Sequence, residues 1–320
     1  MRILVTGAAG FVGGHLLRHL RQRYPDARIT GTVLEEGSRL SDPQSQACVI
    51  NLLDLAALES LVLAESPDWI IHLAASANVH RSFENPWATL ENNIRAELNV
   101  LQSCAVHELR PRILIVTSGE VYGAEQSREF PTPEDAPMRP SNPYAVSKVA
   151  QDFLALQYHL SHRMPIMRAR PFNHLGPGQG LGFVAPDLAA QIARVEAGQT
   201  EPRIRCGDLS AERDFTDVRD IVRAYVRLME AGAPGEAYNV STGSTHAIRE
   251  LVEGLLALAR VEIVVSANSG HIRSTGVNRS WGDSRKLRSA TGWSPEIPLS
   301  TTLRDVLDDW RARVAAEVAS

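Results

Sequence analysis

The sequence is short of the features that mark several large classes of protein. Its three cysteines, Cys48, Cys104 and Cys206, are far apart and form no C-x-x-C pair. A disulfide framework is therefore not expected, and the thiols read as free groups of a reducing cytosol. No apolar run approaches the ~20 residues of a membrane span. Met1 leads straight into strand-like Ile3-Leu4-Val5, which leaves no room for a signal peptide and points to the cytoplasm. Basic charge is not in excess either: 33 Lys and Arg against 37 Asp and Glu give a net charge of −4. That balance argues against a nucleic-acid partner or an anionic membrane surface. Neither a G-x-S-x-G elbow nor a G-x-x-x-x-G-K-[ST] loop occurs, which disfavours hydrolase and kinase chemistry. His15 and His19 lie one helical turn apart but lack a third ligand, so no metal site is expected.

What is present is an alternation of periods. Arg2-Val5, Arg28-Val33, Ala47-Ile50, Trp69-Leu73, Ile113-Thr117 and Pro165-Arg168 read as buried parallel strands. Between them His15-Tyr24, Leu55-Ala64, Asn93-His107 and Tyr144-Ser161 carry apolar residues at helical spacing. This pattern predicts an α/β fold, a Rossmann-type doubly wound parallel sheet. After about residue 172 the texture changes. Gly176-Pro177-Gly178-Gln179-Gly180-Leu181-Gly182 is too rich in breakers for a helix or strand. Asp187-Ala197 then reads as a helix, Pro202-Cys206 as a strand, Ala237-Val240 as a return to the sheet, and Thr302-Ala315 as a closing helix. The expected division is a dinucleotide-binding domain of residues 1–173 and 217–243, with a smaller, discontinuous substrate domain of residues 174–216 and 244–320.

Strand Ile3-Val5 runs into Gly7-Ala8-Ala9-Gly10-Phe11-Val12-Gly13 and then a helix. Gly7 permits a tight turn, Gly10 lets a pyrophosphate approach the backbone, and Gly13 packs helix on strand. Free N–H groups and the dipole at the helix start favour an anion there. The second strand ends in Val33-Leu34-Glu35-Glu36, with no basic residue before Arg39. Two carboxylates would repel a 2′-phosphate, so the expected cofactor is NAD(P)H, leaning to NADH through Glu35. Further on, Tyr144 and Lys148 stand at i and i+4 on one helix face. A free tyrosine has a pKa of about 10, and an adjacent ammonium should lower it by favouring the phenolate. Lys148 can also hydrogen-bond a nicotinamide ribose, while Ser118 holds a substrate oxygen near the phenol.

At these residues the chain resembles the extended short-chain dehydrogenase/reductase family, along nearly its whole length. The matching stretches are "TGAAGFVG", "HLAA" (His72-Ala75), "SFENP" (Ser82-Pro86), "SGEVYG", "NPYAVSK" and "RDFTDVRD" (Arg213-Asp220). The resemblance implies that Ser118, Tyr144 and Lys148 form the catalytic triad. It implies that Phe11, Val12, Asn51, Leu52, Leu73, Ala74 and Ala75 flank the cofactor, and that Arg170-Pro171-Phe172-Asn173 closes over the nicotinamide. Asn51 stands where the family usually has Asp. Relatives mostly act on nucleotide-diphosphate sugars, which implies a diphosphate role for Arg213 and Arg273 and sugar-nucleotide contacts for Asn173 and Val184. Phe172-Gly198 looks like the GDP-sugar branch, in the form carried by reductases of GDP-4-keto-6-deoxy-mannose that make GDP-D-rhamnose. Glu120 matches the base of GDP-mannose dehydratases, yet the reductases keep a Glu there too. It is read as a sugar-pocket residue, with a 4,6-dehydratase or a 4-epimerase as the alternative. A homodimer is implied through helices Asn93-His107 and Tyr144-Ser161.

Overall fold

The computed structural model describes residues 1–123, 130–267 and 279–319. Seven strands form its main sheet: β1 (Arg2–Thr6), β2 (Arg28–Val33), β3 (Gln46–Val49), β4 (Trp69–His72), β5 (Arg112–Val116), β6 (Ile166–Pro171) and the returning strand Ala237–Val240. Their order across the sheet is Ala237–Val240, β6, β5, β4, β1, β2, β3, and every pairing is parallel. The strand order reverses between β1 and β4. In such sheets the loops at that switch diverge and leave a crevice beyond the carboxyl ends of the strands.

The central strands β1, β4 and β5 read as apolar runs because both faces are covered. Alternate residues feed opposite cores, as the two-residue repeat of a strand requires. Ile3, Val5, Ile71 and Leu114 pack on one side with α1 (Phe11–Arg23) and, far along the chain, α7 (Val218–Ala231). Leu4, Ile70, Ile113 and Ile115 face the other way, onto α2 (Leu55–Glu65), α4 (Pro86–Val106) and α5 (Pro143–His162). A third core joins α6 (Val184–Glu196), α8 (Ile248–Leu256) and α10 (Leu299–Ala319) through Leu188, Ile192, Leu251, Leu307 and Trp310. Three short sheets are described beside the main one, one of them pairing Arg203–Cys206 with Val264–Ala267. No helix among the described residues is long and apolar enough to cross a membrane.

Several boundaries differ from those expected. The pattern placed a helix start at Asn93, but α4 begins at Pro86, because the Asn85 side chain accepts from Ala88 N and proline suits the first helical position. The same device starts α5 one residue early, at Pro143 behind Asn142. The helix expected from Asp187 begins at Val184. Helices α3 (Val79–Glu84), α7, α8 and α9 (Arg285–Thr291) were not anticipated. For α7 the signal was present: Ile221, Val222, Tyr225, Leu228 and Met229 are buried at one-turn spacing.

Candidate active site

The cleft is built where β1, β4, β5 and β6 end. Gly7 follows β1 with φ of 68°, a left-handed conformation that favours glycine. A Cβ there would stand 2.9 Å from the Ala74 nitrogen, and one on Gly13 would stand 2.5 Å from the Gly7 carbonyl oxygen. Only glycines let this turn lie against the β4 loop and the helix lie against the turn. Thr6 ties the two loops together. Its Oγ1 accepts from the Leu73 and Ala74 nitrogens, each at 3.2 Å, and shares a hydrogen bond with His72 Nδ1 at 2.9 Å. Burial, then the Lys148 charge, pulls the His72 pKa down to about 3, so the ring is a neutral imidazole. The amino end of α1, with no side-chain cap on Gly10, therefore opens into the cleft. A dinucleotide fits this cradle on geometry, since a backbone without side chains and unpaired N–H groups are what a pyrophosphate needs.

Gly7, Gly10, Phe11, Val12, Gly13, Leu73 and Ala75 all line the resulting 610 Å³ cavity, together with Ser118, Glu120, Tyr144, Lys148, Phe172 and Asn173. Other expected cofactor contacts stand back from it. Ala74 braces the Gly7 turn from behind. Leu52 is buried, and its carbonyl accepts from Asn99 Nδ2 at 2.8 Å. Asn51 is exposed, its Oδ1 taken by the Leu53 nitrogen at 3.0 Å. Glu35 is exposed just past the end of β2.

Ser118 leaves β5 in extended backbone, its Oγ accepting from Glu120 N at 3.1 Å, and caps the short 3-10 helix Gly119–Tyr122. Asn142 caps α5 by accepting from Ala145 N at 2.7 Å, and its Nδ2 donates to Glu120 Oε2 at 3.3 Å. That cap fixes the first turn of α5, so Tyr144 lines the same cavity as Ser118, close enough for the Ser118 hydroxyl to act on the phenol. One turn on, Lys148 places its Nζ 5.9 Å from the Tyr144 ring centre and donates to the Val116 carbonyl at 2.9 Å. Here the electrostatics overturn an expectation. Lys148 does not draw the phenol down: burial pushes Tyr144 up to about 12, with the Ser118 hydroxyl opposing the rise and Glu120 adding to it. Lys148 itself is fully buried, and desolvation pulls it down to about 8 against the opposing charge of Glu97. At neutral pH the phenol is thus a protonated donor.

Beyond the phenol, Phe172 is clamped between glycines. A Cβ on Gly119 would meet its ring at 3.0 Å, and one on Gly282 at 2.2 Å. Asn173 borders both the main cavity and a second, 270 Å³ hollow formed by Val184, Cys206, Gly207, Asp208, Ala211, Arg213, Phe215 and Ile248. The Glu120 charge acts on both Tyr144 and Arg213. Arg273 falls outside the described residues.

The family model for GDP-mannose 4,6 dehydratase matches residues 4–306. The chain belongs to this family. The extended short-chain dehydrogenase/reductase resemblance read from its motifs therefore holds. The chain is 38% identical to GDP-6-deoxy-D-mannose reductase of Pseudomonas aeruginosa over 99% of each sequence. The structure of RMD from Pseudomonas aeruginosa complexed with NADPH, also 38% identical, superposes with a TM-score of 0.86 over 98% of this chain and 99% of that one. UDP-glucose 4-epimerase of Thermus thermophilus, complexed with NAD, is 27% identical with a TM-score of 0.83 over 97% and 99%.

Within this GDP-mannose 4,6-dehydratase family the cleft contains residues that pattern reading passed over. Asn78, His80 and Phe83 reach it from the α3 segment, and Tyr225 from α7. Asn142, by contrast, was legible: an Asn directly before a proline and a helical run is the signature of a cap.

Proposed function

We propose that this chain is an NAD(P)H-dependent reductase that converts the 4-keto group of GDP-4-keto-6-deoxy-D-mannose to the hydroxyl of GDP-D-rhamnose. The observation that carries the reading is the state of the acid site, a protonated Tyr144 in one cleft with Ser118, with Gly119 in place of a second acid beside Glu120. The full-length likeness to a GDP-6-deoxy-D-mannose reductase supports the same substrate.

NAD(P)H, when bound, supplies the hydride for the carbonyl carbon. Gly7, Gly10 and Gly13 with the start of α1 hold the pyrophosphate, and Lys148 holds the nicotinamide ribose. Ser118 donates to the substrate carbonyl oxygen. Tyr144 gives that oxygen its proton as charge develops; an alkoxide is more basic than a phenolate, so a phenol near 12 still transfers downhill. The ammonium of Lys148 stabilises the phenolate left behind. Asn173, Val184 and Arg213 line the sugar-nucleotide side, Arg213 as a planar fork for the diphosphate, with Arg273 assigned the same task. The smaller lobe, residues 174–216 and 244–320, is the substrate domain of this reading, and the three free thiols favour a cytoplasmic setting.

The exposed carboxylates Glu35 and Glu36 favour NADH over NADPH. Trp87, Phe153 and Leu160, which are 70%, 53% and 69% exposed on α4 and α5, favour a homodimer through those two helices. The 4,6-dehydratase alternative rests on Glu120, which could serve as a base in the same cleft. Supplying GDP-mannose alone separates the two. The reductase leaves GDP-mannose unchanged and consumes reduced cofactor with the 4-keto sugar; ketosugar made from GDP-mannose without added reductant would reverse the reading.

A further inference from the structure

Glu97 sits on α4, which packs against α5. It is 0% exposed, and neither carboxylate oxygen has a hydrogen-bond partner among the described residues. Burying an acid in that condition is destabilising, so its surroundings matter. Asn93, one turn earlier on α4, gives Nδ2 to Ser147 Oγ, and its carbonyl oxygen accepts from Gln151 Nε2, both at 2.9 Å. These bonds lock the helix pair with Glu97 beside the turn of α5 that carries Lys148 and Asp152. Those two charges act on Glu97, and Gln151 adds a weak pull towards ionisation.

The other groups near Lys148 are already committed. Asp152 holds Arg168 at 2.7 Å and Arg170 at 2.8 Å, both from β6. Glu120 acts on Tyr144 and Arg213. His72 of β4 is neutral and bonded to Thr6. Glu97 is the carboxyl that opposes the desolvation of the Lys148 ammonium.

We propose that Glu97 is a positioning residue for Lys148: its carboxylate keeps the buried ammonium protonated, and the pair sets the alkaline edge of the enzyme's working range. Burial alone drives the ammonium towards neutrality and the carboxyl towards its acid form. The two groups act on each other through charge without a hydrogen bond between them, and they titrate as a unit. The charged form of Lys148 is the one that can bind a ribose and stabilise a phenolate. This concerns the free protein, and goes beyond the choice of sugar.

The chain has two lysines, Lys148 and Lys286, and Lys286 is half-exposed and paired with Glu236 at 2.7 Å. K286R therefore leaves one lysine to observe. In K286R protein carrying lysine labelled with carbon-13 at Cε, NMR titration should place the Lys148 midpoint at about 8. In E97Q/K286R it should fall by about one pH unit or more, and the alkaline limb of kcat/KM should move with it. E97D should restore most of both; E97T, which also lacks the charge, should behave as E97Q and serves if the glutamine variant fails to fold. An unmoved midpoint in the variants lacking the charge, whatever the melting temperature does, would overturn the proposal, because a merely structural acid leaves Lys148 unchanged.

Discussion

Replacing Tyr144 by phenylalanine removes one oxygen from the cleft and leaves the ring. Tyr144 is 9% exposed and its ring keeps its packing, so the change is confined to the hydroxyl and the proton it gives. Losing a positioned proton donor lowers kcat by about 10²–10⁴-fold, which is about 2.7–5.4 kcal/mol of barrier. The glycine turn and Lys148 are untouched, so NAD(P)H affinity should stay close to wild type. Two measurements check this: loss of reduced-nicotinamide absorbance with the 4-keto sugar, and titration of cofactor fluorescence. A kcat within about fivefold of wild type would remove Tyr144 from its role. Lost turnover that returns at high cofactor concentration would instead mark it as a binding group.

Lys148→Met should abolish turnover yet stabilise the fold. Burial lowers the ammonium from 10.5 to about 8, a penalty at neutral pH of about 3 kcal/mol, offset by about 1 kcal/mol for the lost Val116 hydrogen bond. The sign follows from a folded pKa below the unfolded one: in wild type the favourable contribution is present above pH 10.5 and is lost as pH falls through about 8. Denaturant midpoints across that window should slope in wild type and slope less in the variant. Gly7→Ala should lose cofactor binding in a fluorescence titration, because its Cβ meets Ala74 N at 2.9 Å and φ is 68°. Phe153→Glu should give a monomer by light scattering; an unchanged dimer would place the interface elsewhere.

The glycine turn was readable because positive φ and backbone contact leave few other residues possible there. The helix pair Tyr144 and Lys148 was readable because a spacing of four is geometry in itself. Their charges were not, because a side chain's desolvation depends on what packs over it. Lys148 is buried with α4 packed on α5, and the deciding acid, Glu97, looked like any solvated charge in a helical pattern. The same limit explains Asn51 and Leu52. Their place after β3 was legible, but not that one would turn its side chain to Leu53 N and the other would sink beneath α4.

In the proposed reaction hydride arrives at C4 of a ketosugar while the proton comes from the protein. Cofactor carrying deuterium at the transferable position should yield a GDP-hexose with that deuterium at C4, and the same turnover in heavy water should leave C5 unlabelled. Deuterium entering C5 from solvent, with none delivered to C4, would mean that Glu120 acts as a base and the enzyme is a dehydratase.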